Sequence, residues 1–305
     1  MKTSSAYISM INMTQIIIVM FLWSICFPVI VLGLPYAPHL TFAALRAFLA
    51  GIALLIPAYC LNKQQPHGIK IWLKLAAIGL GATTLGFYGM FHASEFVSPG
   101  IATVIANTQP LMAMVLAYIF LNERMDTRGK IGVSFGFIGI VIISFPSLTS
   151  DASGNYTLGV LYIILAAVGI TVSNVLIRHI AGQIDALTAM GWQLVIGSFF
   201  LGLIALFTED ITAINWNMPF ISSLLLLALP GTALAYWLWF RVLEQIDLTR
   251  ANSFSFLVPI FGLVMGVIFY QEQIQLTTLA GVSLTIIGII FVNLPRQQLA
   301  IINRR

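Results

Sequence analysis

Charge is scarce in this chain. Only 8% of its 305 residues are Asp, Glu, Lys or Arg, while 59% are hydrophobic; a soluble globular domain carries about 25% charged residues. So few charges cannot cover a water-facing surface, which excludes a soluble fold. The formal net charge of +4 is too small and too scattered for a nucleic-acid surface. Cysteine is scarcer still, with two residues. Cys26 and Cys60 each sit inside an apolar run, where they read as small buried hydrophobes, and two isolated thiols make neither a disulfide framework nor a zinc site. No glycine loop followed by Lys-Ser or Lys-Thr is present to cradle a nucleotide phosphate. No His, Cys and carboxylate residues recur at metal-ligand spacing, and no nucleophile–base constellation appears. The sequence therefore predicts no enzyme, no cofactor and no metal.

Hydrophobic length is plentiful. A helix needs about 20 apolar residues to cross the hydrocarbon core, and ten such runs follow one another at 14–33, 39–60, 70–92, 97–121, 129–146, 157–178, 184–207, 218–241, 249–270 and 274–294. The linkers between them are short and hold the breakers, as in "NKQQPHG" and "NERMDTRG". The first run reads as a retained span rather than a signal peptide. Only Lys2 charges the segment before it, and no small-x-small cleavage site follows "FPVIVLGLPYA". Basic residues stay on the cytoplasmic side of a membrane. With the N-terminus inside, ten spans place Lys2, Lys63, Lys70, Lys74, Arg124, Arg128, Lys130, Arg178, Arg241, Arg250, Arg296, Arg304 and Arg305 on that side. The external segments hold Glu95, Asp151, Glu209, Asp210 and Glu272 instead. Both termini are expected in the cytoplasm, and Arg46 alone falls inside a span.

The chain also repeats itself. Residues 81–142 and 230–291, offset by 149, are identical at sixteen of 62 positions without gaps. The matches include Thr83/Thr232, Glu95/Glu244, Pro110/Pro259, Glu123/Glu272, Gly132/Gly281 and Gly139/Gly288. Apolar composition alone does not put glutamates, a proline and glycines in register. Residues 1–150 and 151–305 each hold five spans, and because five is odd the second half enters the membrane upside down. The expected fold is an all-α polytopic membrane protein, ten transmembrane helices arranged as two inverted five-helix repeats. Such repeats are a known route to secondary transporters with a substrate site near the midplane.

Ten spans with "PLMAMVLAYIFLNE" followed by "GVSFGFIGIVII", and a second copy "PIFGLVMGVIFYQE" followed by "GVSLTIIGIIFV", resemble an EamA-type member of the drug/metabolite transporter superfamily over nearly the whole chain. That resemblance implies alternating access and an inner-membrane location. It implies a central cavity lined by spans one to four and six to nine, with five and ten as scaffold. Export of amino acids or related metabolites is the leading expectation. Uptake or exchange of a nucleotide- or cofactor-like compound, or multidrug efflux, stand as alternatives on the same fold; a non-transporting membrane enzyme or receptor is a remote one. The expected partners are a small-molecule substrate and the bilayer, with no nucleic acid and with a monomer compatible with the sequence.

Polar groups within lipid are costly and tend to face a cavity or a partner, so they locate candidate substrate contacts. Span one offers Trp23 and Ser24, with Pro28 expected to kink the helix; the same offset pairs Ser24 with Ser173 in span six. Arg46 in span two suits a carboxylate, or else caps neighbouring carbonyls, and its looser counterparts are Gln193 and the adjacent Trp192. Tyr88 in span three corresponds to Trp237 in span eight, beside Tyr236, as aromatic walls. His92 lies at the membrane border, a weak candidate for proton coupling. Span four opens with Ser98 as N-cap and Pro99, and Asn107 shares its stripe with Thr103; span nine offers Asn252. Each of these also suits ordinary helix packing or an interhelical hydrogen bond of about 0.6–2 kcal/mol. Glu123 and Glu272 end spans four and nine against the helix dipole and read as interface or gating groups.

Overall fold

The structure, a computed structural model, describes residues 2–93, 96, 105–148, 156–270 and 275–293. Glu95, Ser98, Pro99, Thr103, Asp151, Glu272, Arg296, Arg304 and Arg305 lie outside the described residues. Everything described is helix or short connection, apart from an isolated bridge between Ala181 and Ile184.

The helices follow the apolar runs closely. They are α1 (Lys2–Gly33), α2 (His39–Cys60), α3 (Ile69–Ala93), α4 (Gln109–Phe120), α5 (Thr127–Leu148), α6 (Tyr156–Ile180), α7 (Ala186–Thr208) and α8 (Met218–Gln245). After them come α9, running as Leu248–Ser253, a 3-10 turn at Phe254–Phe256 and Leu257–Tyr270, and α10 (Leu276–Asn293). Among the described residues eight helices are long and apolar enough to cross a membrane, and α4 is a shorter apolar one. Phe207, Leu276 and Tyr59 are 84%, 83% and 79% exposed, so the outer surface is apolar as lipid contact requires. The first helix starts well before the apolar run and carries Pro28 without interruption. Its missing N–H does not end the helix.

Contacts at the two ends fix the direction of each helix. At one end the Tyr36 carbonyl accepts from Asn215 N (2.8 Å), and His39 lies beside His92 and Glu209. At the other, Lys63 pairs with Asp185 (3.4 Å), and Glu123 reaches Leu248 N (2.9 Å). Arg178 there donates to the Leu243 carbonyl (2.7 Å). α1 ends at the first end and α6 at the second, so the two run in opposite directions.

Glycines set how closely the helices approach. A Cβ at Gly132 in α5 would stand 2.6 Å from the Gly288 carbonyl oxygen in α10, and one at Gly139 would stand 2.6 Å from that of Gly281. Position 132 is the repeat equivalent of 281 and 139 of 288, so the seam is reciprocal: each equivalent glycine meets the other's neighbour across an antiparallel pair. α2 and α7 touch likewise at Gly51 and Gly191. Backbones this close gain dispersion and Cα–H···O contacts, the means by which helices associate in lipid.

α3 and α8 each widen mid-helix into a π turn, Gly79–Leu85 and Leu229–Leu234, again at equivalent positions. Glycines in "GLGATTL", and Pro230 in "LPGTAL", weaken the ordinary i→i−4 ladder there. Threonine hydroxyls satisfy the loosened carbonyls: Thr232 donates to Leu227 O (2.8 Å), and Thr84 to Gly79 O (3.4 Å) and Gly197 O (2.9 Å). α4 and α9 break at matching depth, at the turn through residues 107–108 and at Phe254–Phe256, just before Pro110 and Pro259.

Candidate functional site

The π turn of α8 presents Thr232 to α2. There Arg46, only 6% exposed, donates from Nε to the Thr232 hydroxyl (2.7 Å) and from Nη2 to Cys26 Sγ (3.4 Å). Its guanidinium lies 4.9 Å from the ring centre of Phe87, a cation–π contact. The thiol of Cys26, on α1, lies within hydrogen-bonding distance of two carbonyls, Leu22 O (3.3 Å) and Gly231 O (3.6 Å). Tyr236 stands one turn beyond Thr232 on α8. Trp23 stands edge-on to Tyr236 (6.1 Å between centres) and tilted on Trp239 (5.5 Å). Trp239 is fixed by its N–H to Asn174 Oδ1 (2.9 Å). Residues of α1, α2, α3 and α8 thus meet at one buried cation with the Phe87 ring on its face, and a group of aromatic rings on α1 and α8 packs together and is tied to α6.

The repeat makes a matching, uncharged contact. Thr83, the equivalent of Thr232, donates to Gln193 Oε1 (3.1 Å), and Gln193 is the counterpart of Arg46. The first bond runs from α2 to α8, the second from α3 to α7. Gln193 is fully buried, and its Nε2 has no hydrogen-bond partner among the described residues.

The other expected site residues disperse. Ser24 is buried beside the arginine cluster's helix turn and points to Met265 Sδ (3.9 Å). Ser173 donates to the Ile78 carbonyl (3.2 Å) where α6 crosses α3 at Gly81 and Gly169. Tyr88 stacks on His92 (4.4 Å) at the His39 end, with Tyr162 edge-on at 5.8 Å. Trp192 goes to the opposite end, donating to Gln65 Oε1 (3.1 Å) against Trp72. Trp237 is half-buried against the main apolar core. Asn107 is buried in the turn before α4, and Asn252 turns back to its own helix at Leu248 O (3.2 Å). Of the residues singled out from the sequence, Arg46, Trp23 and Tyr236 lie on the helices that meet at the buried cation; Cys26 and Trp239, also there, are not among those candidates. Thr232 was visible only as an identity with Thr83.

Two carboxylates cap helices from across the bundle. Glu209, at the end of α7, accepts from Leu40 N, Thr41 N and Thr41 Oγ1, all at 2.8 Å, and lies 3.2 Å from His39 Nδ1. Glu123, past the end of α4, accepts from Leu248 N (2.9 Å), Thr249 N (3.2 Å) and Thr249 Oγ1 (3.1 Å). The dipole problem read from the sequence is solved there. Glu123 leaves its own helix C-terminus and sits on the N-terminus of α9, with Arg178 at 3.9 Å. In the loop beyond Glu209, bonds from the Thr212 hydroxyl and N–H hold the Asp210 carboxyl below its ordinary range.

The model of the EamA-like transporter family matches the chain twice, over residues 10–145 and 157–294. A relative named as the uncharacterized transporter YvbV of Bacillus subtilis is 29% identical, over 89% of this chain and 88% of its own length. Protein PecM of Dickeya dadantii is 28% identical, over 93% and 91%. A protein of Salmonella typhimurium named as a probable amino-acid metabolite efflux pump is 25% identical, over 90% and 91%. A solved crystal structure superposes with a TM-score of 0.79 at 16% identity, covering 93% of this chain and 96% of the other. That likeness speaks to fold alone.

Proposed function

Because this chain belongs to the EamA-like transporter family, we propose that it is a secondary transporter working by alternating access, an exporter of amino acids or related metabolites. Residues 1–150 and 151–305 form its two inverted five-helix halves, and the molecule lies in the inner membrane with both termini in the cytoplasm. The reciprocal contacts support this reading. Equivalent residues bond crosswise, Arg46 to Thr232 and Thr83 to Gln193, and the glycine pairs meet crosswise too, Gly132 against Gly288 and Gly139 against Gly281. Exchanging the conformations of two such halves carries a central pocket from one face to the other.

The observation that carries the reading furthest is the buried Arg46, bonded from the first half to Thr232 of the second, with the half-buried rings of Trp23 and Tyr236 and the buried Trp239 packed together on α1 and α8. One cation and several rings suit a small zwitterionic or amphipathic solute and suit a metal ion poorly. Ser24, Tyr88, Asn107, Ser173, Trp192, Gln193, Trp237 and Asn252 belong to the proposal as contacts made in other states of the cycle. The relative named as an amino-acid metabolite efflux pump supports the substrate class. Flux of amino acids in proteoliposomes tests it. Uptake down a gradient is expected for the wild type and should be lost in Trp23→Ala while the protein keeps its thermal stability. Normal flux in Trp23→Ala, Trp237→Ala and Asn107→Ala alike overturns the site.

A further inference from the structure

We propose that the arginine site is one negative charge short, and that the free carboxylate of the transported solute supplies it. The proposal rests on the transporter reading and narrows it to one chemistry: a carboxylate at the polar end and an apolar body against the rings.

The Lys63, Arg178 and Arg241 side chains all have carboxylate partners, Asp185, Glu123 and Glu244, and all three are partly exposed near the ends of the bundle. Arg46 is far more buried, yet among the described residues no carboxylate comes within ion-pair distance of it. Its neighbours are a hydroxyl, a thiol and the face of a phenyl ring. A hydroxyl and a thiol satisfy two donors; neither neutralises a charge. An uncompensated cation in a low-dielectric interior is strongly unfavourable, and the chain keeps one where both halves meet.

Geometry then says which edge is open. Nε is used by Thr232, and Nη2 has only the long contact to Cys26. Nη1 makes no hydrogen bond among the described residues and is not among the fully enclosed unpaired atoms. The Nη1–Nη2 edge is the side of the fork that takes a carboxylate in a bidentate pair. A carboxylate seated there displaces the weak thiol contact and leaves the bond to Thr232 intact. Occupancy is therefore felt at the same guanidinium that ties α2 to α8. Trp23, on the helix that carries Cys26, and Tyr236, on the helix that carries Thr232, pack on one another, and we assign them the solute's apolar part.

Cys26 supplies the probe. In a Cys60→Ser background it is the single thiol, 3.4 Å from Arg46 in the starting protein. The rate of N-ethylmaleimide labelling is measured with a panel of the standard amino acids and simple monocarboxylates, each beside its amide and its decarboxylated amine. At ten times its dissociation constant a bound acid slows labelling about tenfold by mass action. The expected result is that at least one acid protects while its amide and amine do not, and that Arg46→Gln removes the protection without abolishing labelling. Tryptophan fluorescence titration of the same variants, in which Trp23 and Trp239 are two of six tryptophans and the Arg46→Gln protein serves as the control, gives the answer if the thiol labels too slowly. An amide or amine that protects as well as its acid overturns the proposal. So does protection that survives in Arg46→Gln, or a panel in which no acid binds by either readout. Flux separates the two claims: acids that bind but never cross a proteoliposome sink the transporter reading and leave the anion site standing, whereas flux of solutes lacking a carboxylate does the reverse.

Discussion

The cap that Glu123 places on α9 gives a prediction with a magnitude. Replacing Glu123 by alanine removes the acceptor of two backbone N–H groups, at 2.9 and 3.2 Å, and of the Thr249 hydroxyl at 3.1 Å. Hydrogen bonds to a charged group contribute about 1.5–3 kcal/mol each when buried, and an N-terminal cap about 0.5–2 kcal/mol. The carboxylate side chain is 13% exposed, so water replaces part of the loss. The net cost is then about 3 kcal/mol, since the three bonds share one acceptor group and are not additive. For a chain of 305 residues that lowers the melting temperature by about 5 °C. Glu123→Gln keeps a carbonyl acceptor but loses the charge at the helix N-terminus, and should fall about halfway between. Thr249→Val removes only the hydroxyl, and the cycle with Glu123→Ala should return a coupling of about 1 kcal/mol. Thermal unfolding of detergent-purified protein, followed by tryptophan fluorescence, reads all four. A Glu123→Ala protein that melts within a degree of wild type would mean the carboxylate does not carry the start of α9, and the explanation of its odd place would fail.

Three further outcomes follow from the same geometry. Gly132→Val and Gly281→Val, equivalent positions facing backbone across α5 and α10, should each destabilise by about 2–3 kcal/mol, whereas Gly202→Ala, whose added Cβ meets nothing closer than 3.8 Å, should be neutral or stabilising; a clearly unequal valine pair in thermal unfolding contradicts the reciprocal seam. Glu209→Gln should loosen the start of α2, raising amide hydrogen exchange at Leu40 and Thr41 at least tenfold for a loss of about 1.4 kcal/mol; unchanged exchange there refutes the cap. Single cysteines at Gln65 and Asn215, introduced into a protein lacking Cys26 and Cys60, should react with an impermeant maleimide from opposite sides of the membrane, and reaction from one side would break the threading.

How much of this was legible in the residues depends on whether the governing contact is local. Helix positions were readable because a span needs a long apolar run; α2 falls on residues 39–60 as expected. Helix rotation was not. When nearly every face is apolar, hydropathy cannot say which side looks inward, so Tyr88 and Trp237 could be paired by offset yet part company in space. The π turns of α3 and α8 were hidden for a similar reason: glycines read correctly as close approaches, but the widening comes from the backbone ladder. Arg46 stood out as a lone charge in lipid, whereas its partner Thr232 lies 186 residues away. Cys26 looked like a small hydrophobe because a thiol's role is set by its neighbours, and here the neighbour is that guanidinium. Glu123 presented an electrostatic puzzle whose answer, the start of α9, no local rule supplies.

The glycine seam between α5 and α10 has a mechanical consequence. Where main chain meets main chain, at Gly132 against Gly288 and Gly139 against Gly281, sliding would drive the flanking Ile143, Thr285 and Phe291 side chains into the opposite backbone, so the helices cannot slip past one another without first coming apart. Rotation about the line of contact needs no such separation. The seam therefore favours rotation over sliding, as a spine does.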